Sequence, residues 1–133
     1  MLEEAKNKAL DYIAYSPRTK KQVIEKLAYY DDDIIRQVID FLEEYNYIND
    51  VNYAQNYLEH QLTINNKSIR KIKQELYFKG IDKIDIEEEH IKLELENISK
   101  VLDKLDYKTQ DKNIKKLLSR GFNYSDIKSI ITS

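Results

Sequence analysis

The segment Ser68-Ile69-Arg70-Lys71-Ile72-Lys73-Gln74-Glu75-Leu76-Tyr77-Phe78-Lys79-Gly80-Ile81 decides how this chain is read. Ile69, Ile72 and Leu76 recur at helical spacing and form one apolar face. Ser68 stands where a side-chain oxygen can accept a free amide of the first turn. Gly80 stands just past the last turn. A left-handed residue there ends a helix, and the next apolar residue, Ile81, packs back onto it. Lys79 suits the negative end of the helix dipole. Arg70 and Lys73 lie three apart, Lys67 and Lys71 four apart, so a basic face stands opposite the isoleucines.

The same ending recurs 41 residues on, in Leu118-Ser119-Arg120-Gly121-Phe122, and Gly80 and Gly121 are the only two glycines of the chain. The helices group in threes, each glycine ending the middle helix of its triplet; in that place of the first triplet stand Tyr30 and Asp31, so that turn must be built differently. Thr19 with Gln22 three residues later makes a capping box. Thr19 and Ser68 are 49 residues apart. Pro17 separates the first two helices, with Ser16 as cap and Pro17 at the first helical position as the rival reading.

Helical faces fill the rest of the chain. They run through Leu2, Ala5, Ala9 and Ile13; Val23, Ile24, Leu27 and Ala28; Ile34, Ile35, Val38, Ile39 and Leu42; and Tyr53, Ala54, Tyr57 and Leu58. They resume with Ile84, Ile91 and Leu95; Ile98, Val101, Leu102 and Leu105; Ile114, Leu117 and Leu118; and Ile127, Ile130 and Ile131. The expected fold is all-α, with about nine short helices in three tandem three-helix repeats, 1–50, 51–95 and 96–133, forming an elongated curved array. The second boundary is the weakest. Residues 84–106 lack Gly and Pro, only Asn97 or Ser99 offers a break, and one long helix is the alternative there.

Composition excludes several classes of function. The chain has 133 residues and no cysteine, so disulfides, thiolate metal sites and cysteine nucleophiles are out. Met1 to Leu10 is charged and mixed, so no signal peptide is expected. No apolar run approaches the roughly 20 residues that span a bilayer, and no membrane association is expected. Two isolated glycines make no phosphate loop. The net charge of −2 hides segregated blocks: +2 over 1–30, −7 over 31–60, +4 over 61–80, −5 over 81–96 and +4 over 97–133. A plain DNA-binding domain is usually basic overall. This chain would have to use local basic patches or bind a mixed surface.

Two segments carry a family resemblance. Leu42-Glu43-Glu44-Tyr45-Asn46-Tyr47-Ile48-Asn49-Asp50-Val51-Asn52-Tyr53-Ala54 is a helix end, a tight turn and a new helix. It resembles the RecX-family pattern of a leucine, a spacer, an aliphatic residue, an acidic or amide pair and an aromatic followed by alanine. Ser68 to Ile81 resembles that family's second-repeat motif, with its Lys-Gly-Ile ending. The stretch from Ala9-Leu10 through Arg18-Thr19 and Gln22-Val23 to Leu27 is similar to its opening repeat. Leu118 to Phe122 with Ile127 is similar to its closing helix pair. The matches run in order over nearly the whole chain. Gln22 stands where the family usually has glutamate, and Asn49 where it usually has the first acidic residue of the pair. The chain is also short for the family, with almost nothing before the first repeat.

The resemblance implies a cytoplasmic regulator, mainly an inhibitor, of the RecA recombinase. It implies binding to the RecA filament on single-stranded DNA and effects on ATP hydrolysis, strand exchange and co-protease activity. A monomer is expected, with no enzymatic activity and no cofactor. The alternative is a helical module acting directly on nucleic acid.

The candidate binding residues are Lys67, Arg70, Lys71, Lys73 and Lys79; Lys112, Lys115, Lys116 and Arg120; and Arg18, Lys20 and Lys21. Against each stands the plainer reading of a solvated helix face. Asp31-Asp32-Asp33 and Glu87-Glu88-Glu89 do not converge on a point as a hard cation requires, and acids at a helix start simply suit the dipole. His60 and His90 have no partner at metal spacing beyond neighbouring carboxylates. Tyr77 and Phe78 fall near a surface, where packing between repeats is a simpler role than base stacking.

Overall fold

The computed structural model describes residues 1–105 and 109–132. Eight helices follow one another: α1 (Leu2–Tyr15), α2 (Lys20–Lys26), α3 (Asp32–Glu44), α4 (Asp50–Thr63), α5 (Ile69–Phe78), α6 (Glu88–Lys104), α7 (Gln110–Ser119) and α8 (Tyr124–Thr132). No strand occurs among the described residues. The chain divides into two compact units, Met1–Ala54 with Leu76–Asp82 and Gln55–Glu75 with Lys83–Ser133.

In the first unit α1 packs on α3. Ala5 and Ala9 are four residues apart on α1 and fully buried against Val23, Leu27, Val38, Ile39, Leu42 and Ile48. Small side chains at that spacing let two helix axes approach closely. The expected α2 face is only half used. Val23 and Leu27, four apart on the inner row, are buried, but Ile24 and Ala28, on the adjoining row, are exposed. Thr19, not Ser16, is the cap of α2. Its Oγ1 accepts the Gln22 amide at 3.3 Å while Gln22 Oε1 accepts the Thr19 amide at 3.0 Å.

Both glycines are left-handed, with φ of 95° at Gly80 and 92° at Gly121. Each closes its helix by the same pair of bonds, Gly80 N to Tyr77 O and Ile81 N to Leu76 O, and Gly121 N to Leu118 O and Phe122 N to Leu117 O. At the end of α2 the Tyr30 amide instead bonds to Leu27 O, with no left-handed residue. Asn46, with φ 57°, closes α3 in the glycine manner.

A second use of the glycines is not legible in the sequence. The Thr19 hydroxyl donates to Lys79 O at 2.6 Å, so the cap of α2 sits on the end of α5. A methyl on Gly80 would stand 2.6 Å from Lys21 Cβ. In the second unit the Ser68 hydroxyl accepts the Lys71 amide at 3.1 Å and donates to Arg120 O at 2.8 Å. The cap of α5 thus sits on the end of α7, and a methyl on Gly121 would stand 2.7 Å from Ser68 Oγ. Each cap hydroxyl, buried in the joint, satisfies one helix's orphan amide and another helix's orphan carbonyl.

The helix count corrects the sequence expectation at one place. The sixth and seventh expected helices are one helix, α6, running unbroken through Asn97 and Ser99. Asn97 is fully buried and uses its side chain elsewhere, donating from Nδ2 to Leu62 O at 2.9 Å and Lys67 O at 3.0 Å. It ties down the turn between α4 and α5 instead of ending its own helix. The second core gathers Ile98 and Val101 of α6 with Leu117, Phe122 and Ile127.

Candidate functional site

The first turn of α5 is the centre of the basic surface in the second unit. Its joint with the end of α7 brings together two runs of cations that lie far apart in sequence. Lys67 and Lys71 line one cleft of about 350 Å³ with Lys116, Arg120, Asn65, Asn66 and Ser119. Arg70 and Lys73 line another, of about 470 Å³, with Ile69, Ile86, Ile91, Glu94, Gly121 and Asn123. Lys112 and Lys115 are exposed on α7 and line neither cleft.

These cations are not equivalent. Lys67 is half-buried and bonds both Glu75 oxygens, at 2.9 and 2.8 Å, while the Tyr57 hydroxyl donates to the same carboxylate. Burial would raise the Glu75 carboxyl. The bonds from Lys67 and Tyr57, with the charges of Lys67 and Lys71, outweigh it and hold the group below the usual carboxylate range. Lys67 is therefore a structural cation. Arg70, Lys71, Lys73, Lys112, Lys115, Lys116 and Arg120 have no carboxylate within ion-pair distance among the described residues. Their charge is available to a partner.

The cations of the first unit are mostly committed to the fold. Arg18 lies 4.0 Å over the Tyr12 ring and donates from Nε to Tyr12 O at 3.3 Å. Lys20 pairs with Glu43 at 3.6 Å. Lys21 donates to Phe78 O at 3.3 Å and lies 3.9 Å from Glu25. Lys79 is half-buried beside Thr19. The pair that resembles the family turn is also structural. Asn49 Oδ1 caps α4 by accepting the Asn52 amide, and Asp50 Oδ1 accepts the Lys20 amide at the start of α2. Tyr77 and Phe78 form an edge-to-face pair, 65% and 71% exposed.

Glu59, Glu89 and His90 approach within a metal ion's reach of one another. The hydrogen bonds explain the trio without a metal. His90 Nδ1 accepts the Glu87 amide at 3.0 Å, so in neutral imidazole the proton sits on Nε2. That N–H donates to Glu59 Oε1 at 2.7 Å. Neither ring nitrogen keeps a free lone pair for a cation. Glu59 lies 31 residues from His90 and was not legible as its partner. His60 is exposed in the last turn of α4, and Asp31, Asp32 and Asp33 are exposed at the start of α3.

Short helices joined cap-to-tail, with unpaired cations around one joint, define a tandem three-helix repeat protein with a charged face. The chain belongs to the RecX family. Family models described as the first and second three-helix domains of RecX match residues 5–42 and 49–88. The regulatory protein RecX of Streptococcus agalactiae serotype V is 37% identical, covering 98% of this chain and 55% of its own length. That of Clostridioides difficile strain 630 is 33% identical, covering 98% of this chain and 68% of its own length. The chain therefore spans little more than half the length of the streptococcal relatives. A crystal structure of RecX from Lactobacillus salivarius superposes with a TM-score of 0.83 at 32% identity, over 98% of this chain and 94% of that one. A crystal structure of a regulatory protein RecX has the same fold, with a TM-score of 0.83 at 24% identity, over 99% of this chain and 73% of that one. No helix among the described residues is long and apolar enough to cross a membrane.

Proposed function

We propose that this chain binds the RecA filament on single-stranded DNA and inhibits its ATP hydrolysis, strand exchange and co-protease activity. In this reading it is a monomeric cytoplasmic regulator of recombination and repair, built of tandem three-helix repeats, with no catalytic activity of its own. The reading rests on membership of a family of regulatory proteins. The observation that carries it to residues is the unpaired cationic face around the α5–α7 joint, formed by Arg70, Lys71, Lys73, Lys116 and Arg120. Unpaired surface cations speed the encounter with an anionic assembly and lose that effect in salt.

The test is single-stranded-DNA-dependent ATP hydrolysis by RecA of the same organism, with this chain added well below one per RecA. Progressive inhibition, weakened by reversing Arg70 and Lys73 to glutamate, supports the reading. A folded chain that leaves hydrolysis unchanged at every ratio overturns it. The second reading, direct action on nucleic acid, is favoured by the cleft of Lys71, Lys116 and Arg120, which is lined by no carboxylate among the described residues. It requires steeply salt-dependent binding to bare DNA, with the slope reduced by Lys116→Ala.

A further inference from the structure

The cleft of Arg70 and Lys73 differs in chemistry from its neighbour. Its walls are the isoleucines Ile69, Ile86 and Ile91. Ile91 begins the apolar stripe of α6 that continues through Leu95, Ile98 and Leu102. Those three are packed in the second core, whereas Ile91 is 48% exposed. The stripe therefore extends beyond the core into an open apolar recess. Glu94 is half-buried and accepts the Ile69 amide at 2.6 Å, completing the start of α5. Burial, with the nearby Asp126 charge, raises its carboxyl above the usual range, and the Ile69 bond and the Lys73 charge oppose. At the lip stand Arg70 and Lys73, both exposed; neither makes an ion pair among the described residues, although the Lys73 charge is felt by Glu94.

We propose that this recess seats an aliphatic side chain carried on an acidic segment of a partner protein. Among the described residues no aromatic ring lines the recess, hence none offers a platform on which a base could stack. Its volume of about 470 Å³ accommodates a leucine- or isoleucine-sized group. The two lip cations meet carboxylates flanking that group, giving an apolar anchor with a charged rim. That the segment belongs to RecA rests on the function proposed above. The recess and the class of its occupant do not.

The chain has no cysteine, so Ile91→Cys supplies a unique thiol for a benzophenone label. Illumination with assembled RecA on oligo-dT should give an adduct to a RecA peptide that contains aspartate or glutamate. Ile91→Glu should raise the concentration for half-inhibition of ATP hydrolysis at least tenfold, while Ile91→Leu keeps wild-type potency and both keep the wild-type melting curve. Wild-type inhibition with no RecA adduct, with an adduct only to a segment lacking acids, or with full potency of Ile91→Glu overturns the assignment. If wild type does not inhibit RecA, the functional reading fails and a separate measurement decides the recess. A short Asp/Glu peptide with a single leucine is titrated into the isotope-labelled chain, beside its Leu→Ser twin. Shifts at Ile69 and Ile91 with the leucine peptide alone support the recess. Equal shifts with both, or none, overturn it.

Discussion

Replacing Gly121 with alanine tests the joint between α5 and α7 directly. The backbone there has φ 92°, which strains an L side chain by about 1–2 kcal/mol. The added methyl would also stand 2.7 Å from Ser68 Oγ and must displace it. That hydroxyl makes two hydrogen bonds, from the Lys71 amide and to Arg120 O, each contributing about 1 kcal/mol. Gly121→Ala should therefore cost about 3–4 kcal/mol. Ser68→Ala should cost about 2 kcal/mol through loss of the same two bonds. With Ser68 already alanine, the methyl at position 121 has no hydroxyl to displace, and only the backbone strain remains. The double variant should then cost about 3–4 kcal/mol, far from the 5–6 kcal/mol that independent sites would give, a coupling of about 2 kcal/mol. Urea denaturation followed by helical circular dichroism measures all three. Additivity within about 0.5 kcal/mol, or a cost for Gly121→Ala below about 1 kcal/mol, would refute the reasoning.

Asn97→Leu should destabilise by about 2–3 kcal/mol despite higher helix propensity, because Leu62 O and Lys67 O lose their donor; a neutral result in the same denaturation assay would contradict the tether. Lys67→Ala should lower stability by about 1 kcal/mol through the loss of its Glu75 bonds, yet leave the salt slope of filament inhibition unchanged, which separates it from Lys71 and Lys116. The two perturbed glutamates should give pH effects of opposite sign. The Glu75 carboxyl is lowered from its ordinary 4.5, so its stabilisation is present above that pH and lost as pH falls below it, and Glu75→Gln should converge with wild type in acid. The Glu94 carboxyl is raised from 4.5, so its contribution is full below that pH and declines as pH rises, and Glu94→Gln should gain on wild type between acid and neutral pH. Parallel stability curves for wild type and either variant would count against these assignments.

Much of this fold can be read from particular residues. The left-handed glycines, the Thr19–Gln22 box and the apolar faces of α1 and α3 are local features, set by spacing along one helix. What could not be read depends on contacts distant in sequence. Asn97 suggests a break by its type, and only Leu62 and Lys67, brought to it by the fold, show it to be an interior tether. The partition of the basic residues is of the same kind. Four-residue spacing puts Lys67 and Lys71 on one expected face, yet Lys67 precedes the Ser68 cap of α5, and Glu75 takes it up while leaving Lys71 free of an ion pair among the described residues. His90 likewise acquires its meaning from Glu59, on another helix.

The joints also bear on how such an array can grow. The stretch from Ser68 to Gly80 carries a cap hydroxyl at one end and a tail glycine at the other, each engaged with a different helix. A duplicated copy of such a segment would bring both halves of the fastening with it. Gene duplication could therefore lengthen the array without a compensating mutation. A point substitution at either half would break a fastening whose other half lies some 50–60 residues away. Lineages should accordingly vary more freely in how many such segments they carry than in the residues that fasten them.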